Sequence, residues 1–163
     1  VFLMGLDEIN FSTFENAFVV YLGHHGDVSA SIADIILPTP AYTEKSSTYM
    51  NIEGRVIQTT KCHNPLGESK EEWKIFRVLS DLFEKDLNFD NLGELRNELT
   101  STYGQFAFLN ELNSIGEITF AKKNKIENIK INYNIENFYM NDSISRSSET
   151  MAKCTKDILN KAA

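Results

Sequence analysis

Three short apolar runs constrain this chain more than any other feature. Val1-Phe2-Leu3-Met4-Gly5-Leu6, Phe18-Val19-Val20-Tyr21-Leu22-Gly23 and Ile32-Ala33-Asp34-Ile35-Ile36-Leu37 are strand-length and show no helical period. Continuous apolar runs of that length read as strands buried on both faces, as in parallel sheets. Polar, helix-compatible stretches separate them, and Pro38 and Pro40 end the third. The pattern predicts an α/β layer. Between the first two runs, Ser12 and Glu15 have the spacing of a cap and its partner for a short helix.

Length and charge limit what such a layer can be. The chain has 163 residues, which suits one domain or one lobe of something larger. Its 16 basic and 23 acidic residues give a net charge of −7, unsuited to a general nucleic-acid surface. No apolar run is long enough to span a membrane as a helix. Aromatic residues at 11% argue against disorder. Cys62 and Cys154 are far apart and match no disulfide, zinc or iron–sulfur spacing, so free thiols in a reducing compartment are expected. Val1 opens a strand already under way, so the chain is expected to be the C-terminal piece of a longer protein or the product of a split gene.

The remainder changes character. Thr48–Ile52 and Arg55–Thr59 flank Glu53-Gly54, the signal of a tight hairpin. Pro65-Leu66-Gly67 marks a turn, and Ser69 with Glu72 predicts a capping box for a helix reaching about Lys85. Trp73, Phe76, Leu79 and Phe83 form its core-facing stripe, widened by Ile75, Val78 and Leu82. A shorter helix is expected from Asp90 to Leu99, with Leu92, Leu95 and Leu99 inward. From Thr100 to Ile135 no element is assigned. There, Ala121–Lys125 reads as a solvated basic loop, and Ile126, Ile129, Ile131, Tyr133 and Ile135 as an edge strand or extended arm. Ser143 to Lys161 reads as one amphipathic helix capped by Asp142 or Ser143, with Ile144, Met151, Cys154, Ile158 and Ala162 on one face.

Few residues suggest chemistry on their own. His24-His25 follow the second run, but adjacent histidines should diverge, and a metal would also need Asp27 and His63. A polar loop is the expected role. There is no phosphate-binding glycine loop, and Ser46-Ser47 lack the glycines of a nucleophile elbow. The segment from Tyr42 to Gln58 interleaves Glu44, Lys45, Asn51, Glu53, Arg55 and Gln58 with apolar residues. Either these lie on a solvated face, or they are buried and must pair into one self-satisfied network.

Ala33–Pro38, Tyr42-Thr43-Glu44-Lys45, Asn51-x-Glu53-Gly54-Arg55-x-x-Gln58, Pro65-x-Gly67 and Trp73 together resemble the molybdopterin oxidoreductase family. The match is to the end of its α/β cofactor-binding region. It implies an α/β fold: a partial parallel sheet of that type, with a β-hairpin and C-terminal helices. Asp34, Glu44, Lys45, Asn51, Glu53, Gly54, Arg55, Gln58 and Trp73 are then a structural motif. Tyr21-Leu22-Gly23-His24-His25-Gly26-Asp27 and Asn137–Ser148 look like one branch, the large iron–sulfur subunit of respiratory NADH:quinone oxidoreductase, complex I. The resemblance covers residues 1–82 and 136–154. It implies an α/β lobe over 1–100, a divergent connection over 101–135 and a tail over 136–163.

In that branch the pterin site has fallen out of use and the iron–sulfur clusters lie in upstream domains, so no cofactor and no catalysis are expected of this chain. Lys45, Asn51 and Arg55 would be vestigial pocket residues. Expected partners are the subunit's N-terminal iron–sulfur domains and other peripheral-arm subunits. The implied location is the peripheral arm, at the cytoplasmic side of a bacterial inner membrane or the matrix side of the mitochondrial one. Large side chains at Phe138, Tyr139 and Met140, followed by Ile144 and Arg146, suggest a tail that docks on another domain or subunit. Ser47, Thr39-Pro40 and Ile52 depart from the family pattern, and serine at position 47 would cost about 1 kcal/mol if that position needs a positive φ. Two alternatives stand beside this. One is a fragment of a catalytic relative such as formate dehydrogenase or nitrate reductase, with Lys45, Asn51 and Arg55 on pterin or phosphate. The other is a standalone α/β interaction module.

Overall fold

The computed structural model describes residues 1–6, 11–14, 16–26, 28–111 and 137–159. The chain divides into two compact units, Val1–Ile36 with Ile118–Ala163, and Leu37–Glu117.

In the first unit the apolar runs become strands. β1 (Phe2–Met4) pairs in parallel with β2 (Val20–Gly23), placing Phe2 opposite Val20, Leu3 opposite Tyr21 and Met4 opposite Leu22. β3 (Ile35–Pro38) completes the sheet in the order β1-β2-β3, so β2 is central. That position explains why all of β2 is buried. Leu3, Val19 and Tyr21 form a core that Phe14, Ala17, Ala30, Ile32 and Ala33 pack against, the alanine at 30 coming from the one-turn α1 (Val28–Ser31). The third run therefore becomes a strand later than expected. Ile32 and Ala33 serve the core, while Ile35 and Ile36 are 43% and 53% exposed. Ser12 lies inside a 3-10 turn (Phe11–Phe14) rather than capping a helix, and Glu15 is outside the described residues.

Gly23 is required where it stands. A side chain there would run into the ring of Tyr21. That ring is 3% exposed, and its hydroxyl donates to the His25 carbonyl at 3.0 Å, so it cannot swing aside.

In the second unit β4 (Thr48–Met50) and β5 (Val56–Gln58) form the expected antiparallel hairpin. Gly54 adopts φ 82° in the turn, the conformation its lack of Cβ permits. Val56 is fully buried and makes a parallel bridge to Leu109, within the region left unassigned from sequence. α2 (Glu72–Leu82) forms without the capping box. Ser69 instead donates its hydroxyl to the Leu66 carbonyl at 2.9 Å, closing the Pro65–Gly67 turn on itself. Glu71 takes the cap position and makes no side-chain capping bond. The helix stops at Leu82, short of Lys85. Its inner side carries Trp73, edge-on to Phe89 with ring centroids 6.4 Å apart, and buried Ser80. Val78 and Leu82 do not widen that side, being 60% and 72% exposed.

α3 (Leu92–Thr102) begins after Asn91, whose side chain accepts the Glu94 amide at 3.0 Å. Leu92, Leu95 and Leu99 are half-buried, and Arg77 of α2 ties Asp81 to Asp90 ahead of α3. A 3-10 turn (Gly104–Ala107) then leads to Leu109.

The C-terminal stretch is two helices rather than one. α4 (Ser143–Arg146) starts on a capping box, in which Asp142 accepts the Ser145 amide at 3.0 Å and Ser145 accepts the Asp142 amide at 3.1 Å. α5 (Glu149–Cys154) restarts on Ser148, whose hydroxyl accepts the Met151 amide, and continues as a π-helical turn over Thr155–Leu159. Asn137 donates to the Thr155 hydroxyl at 3.1 Å, so the stretch closes on itself. The expectations for residues 121–135 and for Ala162 fall outside the described residues.

Candidate functional site

The polar residues around the hairpin are the most concentrated candidates for chemistry, and their partners decide what they can do. Asn51 uses its side-chain oxygen to accept the backbone amides of Glu53 at 3.1 Å and Arg55 at 2.9 Å, knitting the turn together. Arg55 sends Nη1 to the Asn110 carbonyl at 2.6 Å. Asn110 in turn donates its amide to the Val56 carbonyl at 2.7 Å, turning through φ 61°, a region asparagine tolerates. Lys45 forms an ion pair with Glu72 at the start of α2, with both side chains about four-fifths buried. Glu44 accepts the Ala41 amide at 3.0 Å, closing its own turn. Glu53 and Gln58 are exposed.

The six groups therefore do not form the single network that burial would have demanded. Glu44, Lys45, Asn51 and Arg55 each satisfy a separate local need, while Glu53 and Gln58 face solvent. Lys45 is neutralised, the Asn51 oxygen is saturated by two amides, and the Arg55 guanidinium is engaged by the chain's own carbonyl. Ser47 accepts the Thr59 amide at its carbonyl and donates its own amide to the Thr59 hydroxyl, and it is not among the positive-φ residues, so the strain allowed for at that position does not arise. Asp34 stands at the parallel sheet, its carboxylate accepting the Val19 amide at 2.7 Å.

Trp73 is half-buried, its indole N–H donating to Glu71 at 2.9 Å, with the Lys74 ammonium 5.2 Å from the ring centre. Burial pushes the Glu71 carboxyl up, but the bonds from Trp73 and Lys74 outweigh it and leave the group below its usual range. Sequence reasoning missed Arg96 of α3. Its Nε is 3.4 Å from the Thr48 hydroxyl, and its buried Nη2 has no hydrogen-bond partner.

The histidines do not diverge. The Nδ1 atoms of His24 and His25 lie 2.6 Å apart, a hydrogen-bonding distance, with the rings edge-on. Asp27 is outside the described residues, and among those described no group of three or more His, Cys, Asp or Glu side chains is placed to hold a metal. His63 instead shares an open cleft of about 240 Å³ with Lys61, Cys62 and Asn64. Both cysteines are free. In the tail, Phe138 is 73% exposed, Tyr139 and Met140 are half-buried, Ile144 is 37% exposed, and Arg146 donates to the Met140 carbonyl at 3.4 Å.

Residues 1–82, from the parallel sheet to the last residue of α2, match the model of the molybdopterin oxidoreductase family. The chain belongs to that family. Residues 109–154 match a second model, that of the C-terminal region of the NADH-ubiquinone oxidoreductase G subunit. Arg55 and Val56 in the first matched stretch thus bond to Leu109 and Asn110, which open the second. The chain is 41% identical over 155 residues to the NADH-quinone oxidoreductase G subunit of Rickettsia bellii. It is 40% identical over 158 residues to the NADH-ubiquinone oxidoreductase 75 kDa subunit of Reclinomonas americana. It is 46% identical over 165 aligned residues to the mitochondrial NADH-ubiquinone oxidoreductase 78 kDa subunit of Candida albicans. These alignments cover 94–95% of this chain but 23% of each relative. Among the described residues no helix is long and apolar enough to cross a membrane.

Proposed function

We propose that this chain is a non-catalytic, structural portion of the large iron–sulfur subunit of a respiratory NADH:quinone oxidoreductase, complex I. The observation that carries the reading is the order of two matches on one polypeptide: a molybdopterin oxidoreductase stretch followed by the stretch particular to the G subunit. The hairpin chemistry supports it. Lys45, Asn51 and Arg55, the side chains best suited to hold a pterin or its phosphates, are engaged by Glu72, by backbone amides and by the Asn110 carbonyl. An anionic ligand would have to displace the chain from itself.

In this reading the parallel sheet, hairpin and α2 are a partial sheet and flank of the molybdopterin oxidoreductase type. The iron–sulfur centres belong to parts of the polypeptide outside this stretch, and the work of Lys45, Asn51 and Arg55 is to hold the hairpin in place. Residues 136–163 dock on another domain or on a neighbouring peripheral-arm subunit, with Phe138 the exposed anchor. The assembly lies against a bacterial or mitochondrial inner membrane.

Metal and cofactor analysis of the purified chain tests this directly. Iron, molybdenum and flavin should each be far below one per chain, and a stoichiometric amount of any of them overturns the reading. In cells, Phe138→Ala should lower the yield of assembled complex while leaving the melting temperature of the chain unchanged.

A further inference from the structure

We propose that His24 and His25 form a binding site for a divalent first-row transition-metal ion, held between their Nδ1 atoms. The pair follows β2, the central strand of the parallel sheet, at the carboxyl end where open α/β sheets present their loops to ligands. Successive side chains of a strand point to opposite faces, so adjacent histidines meet only where the chain has left the strand. Here it has. The Nδ1 atoms lie 2.6 Å apart, and the rings stand at 88° with centroids 4.9 Å apart. The main chain beneath them is fixed, because the Tyr21 hydroxyl donates to the His25 carbonyl at 3.0 Å. That tyrosine is 3% exposed, and only a glycine at position 23 leaves room for its ring. His24 is exposed and His25 half-buried, so an ion reaches the pair from solvent.

Two ring nitrogens this close share a single proton, because a second Nδ1–H would point into the first. A metal ion can take the place of that proton. With metal–nitrogen bonds about 2.0 Å long, two donors at right angles around one ion lie about 2.8 Å apart, and two at the tetrahedral angle about 3.3 Å apart. The observed separation is nearer the right-angle case, the arrangement of square-planar and octahedral ions such as Ni²⁺ and Cu²⁺. Binding leaves the net proton count unchanged. The imidazole that donates through Nδ1 releases that proton to water, takes one at Nε2, and coordinates as a neutral ring. Among the described residues no third His, Cys, Asp or Glu joins the pair, so water fills the other positions on the ion. The inference is independent of the subunit reading, since an ion held in this way adds no step to electron transfer.

The test titrates Ni²⁺ alone into the full chain, followed by calorimetry. One ion should bind per chain and raise its melting temperature. His24→Gln and His25→Gln should each weaken binding at least about tenfold, while His63→Gln leaves it unchanged. Nickel-edge X-ray absorption of the unaltered chain should show two imidazole nitrogens among light-atom ligands, a readout that holds even where a variant misfolds. Binding that survives both His24→Gln and His25→Gln overturns the proposal. So does sulfur in the absorption spectrum, or loss of the ion in His63→Gln, either of which moves the ion to the cleft beside Cys62. Equal affinity in the chain unfolded by urea overturns it too, because the two histidines would then bind as a flexible dipeptide that owes nothing to the fold.

Discussion

In the parallel sheet all four residues of β2 are buried and the contacts are apolar, with Leu3, Val19 and Tyr21 at the centre. The hairpin buries one strand residue, Val56, and leaves Tyr49, Met50 and Ile57 about two-fifths exposed. It is held instead by directed bonds: Asn51 to its own turn, Arg55 to Asn110, and Lys45 to Glu72 beside it. Apolar burial is non-directional and falls steeply when a cavity opens, whereas polar clasps are individually modest but costly when one partner is left behind. The sheet should therefore answer to side-chain volume, and the hairpin region to charge and to the loss of single partners.

The largest effect should come from Leu22→Ala, which empties a position 1% exposed and should cost about 3 kcal/mol in urea unfolding. A cost under about 1 kcal/mol would erase the contrast. In the hairpin region, Lys45→Met strands the Glu72 carboxylate and should cost about 1.5 kcal/mol, since the pair is only partly buried. Lys45→Met with Glu72→Leu should recover most of that loss, and a double variant no better than the single would show that the pair is not coupled. Arg96→Met removes a buried N–H that has no acceptor, so stability should stay level or rise by up to about 1 kcal/mol. Asp142→Ala deletes the carboxylate half of the capping box, which accepts the Ile144 and Ser145 amides, and should cost about 1 kcal/mol, read as faster exchange of those two amides.

The smallest effect concerns pH. The folded-state Glu71 carboxyl sits below its usual range, so its contribution is complete above the unfolded value of about 4.3 and fades as pH falls through the lower folded value. Glu71→Gln should flatten that part of the stability profile on the acid side of about pH 5, and an unchanged slope there would remove Glu71 as its source.

Much of this was legible in the sequence because the signals were local. Apolar runs marked β1 and β2, Gly54 marked the hairpin turn, and Asp142 announced a helix start. The misses share a cause. Ser69 and Glu72 have capping-box spacing, yet Leu66 takes the serine hydroxyl and Lys45, 27 positions away, takes the glutamate. Arg55 finds Asn110 across 55 positions, in a region with no periodicity to read. Ser147 and Ser148 are tolerable inside a helix, so nothing in composition required the break, which exists because the Ser148 hydroxyl caps a new start. The engagement of Lys45, Asn51 and Arg55 was equally hidden, since spacing shows which side chains are available and not what has already claimed them.

The bridge from Val56 to Leu109 closes residues 57–108 into a loop pinned at its neck. Extra residues grafted into its exposed turns, near Asn64 or Asp86, should be absorbed as added slack, because closing a longer loop adds little entropy cost. A single residue inserted between Leu109 and Asn110 would shift the register at the neck and pull the carbonyl away from Arg55. Evolutionary length variation in this part of the molecule should therefore gather in the turns and spare the neck.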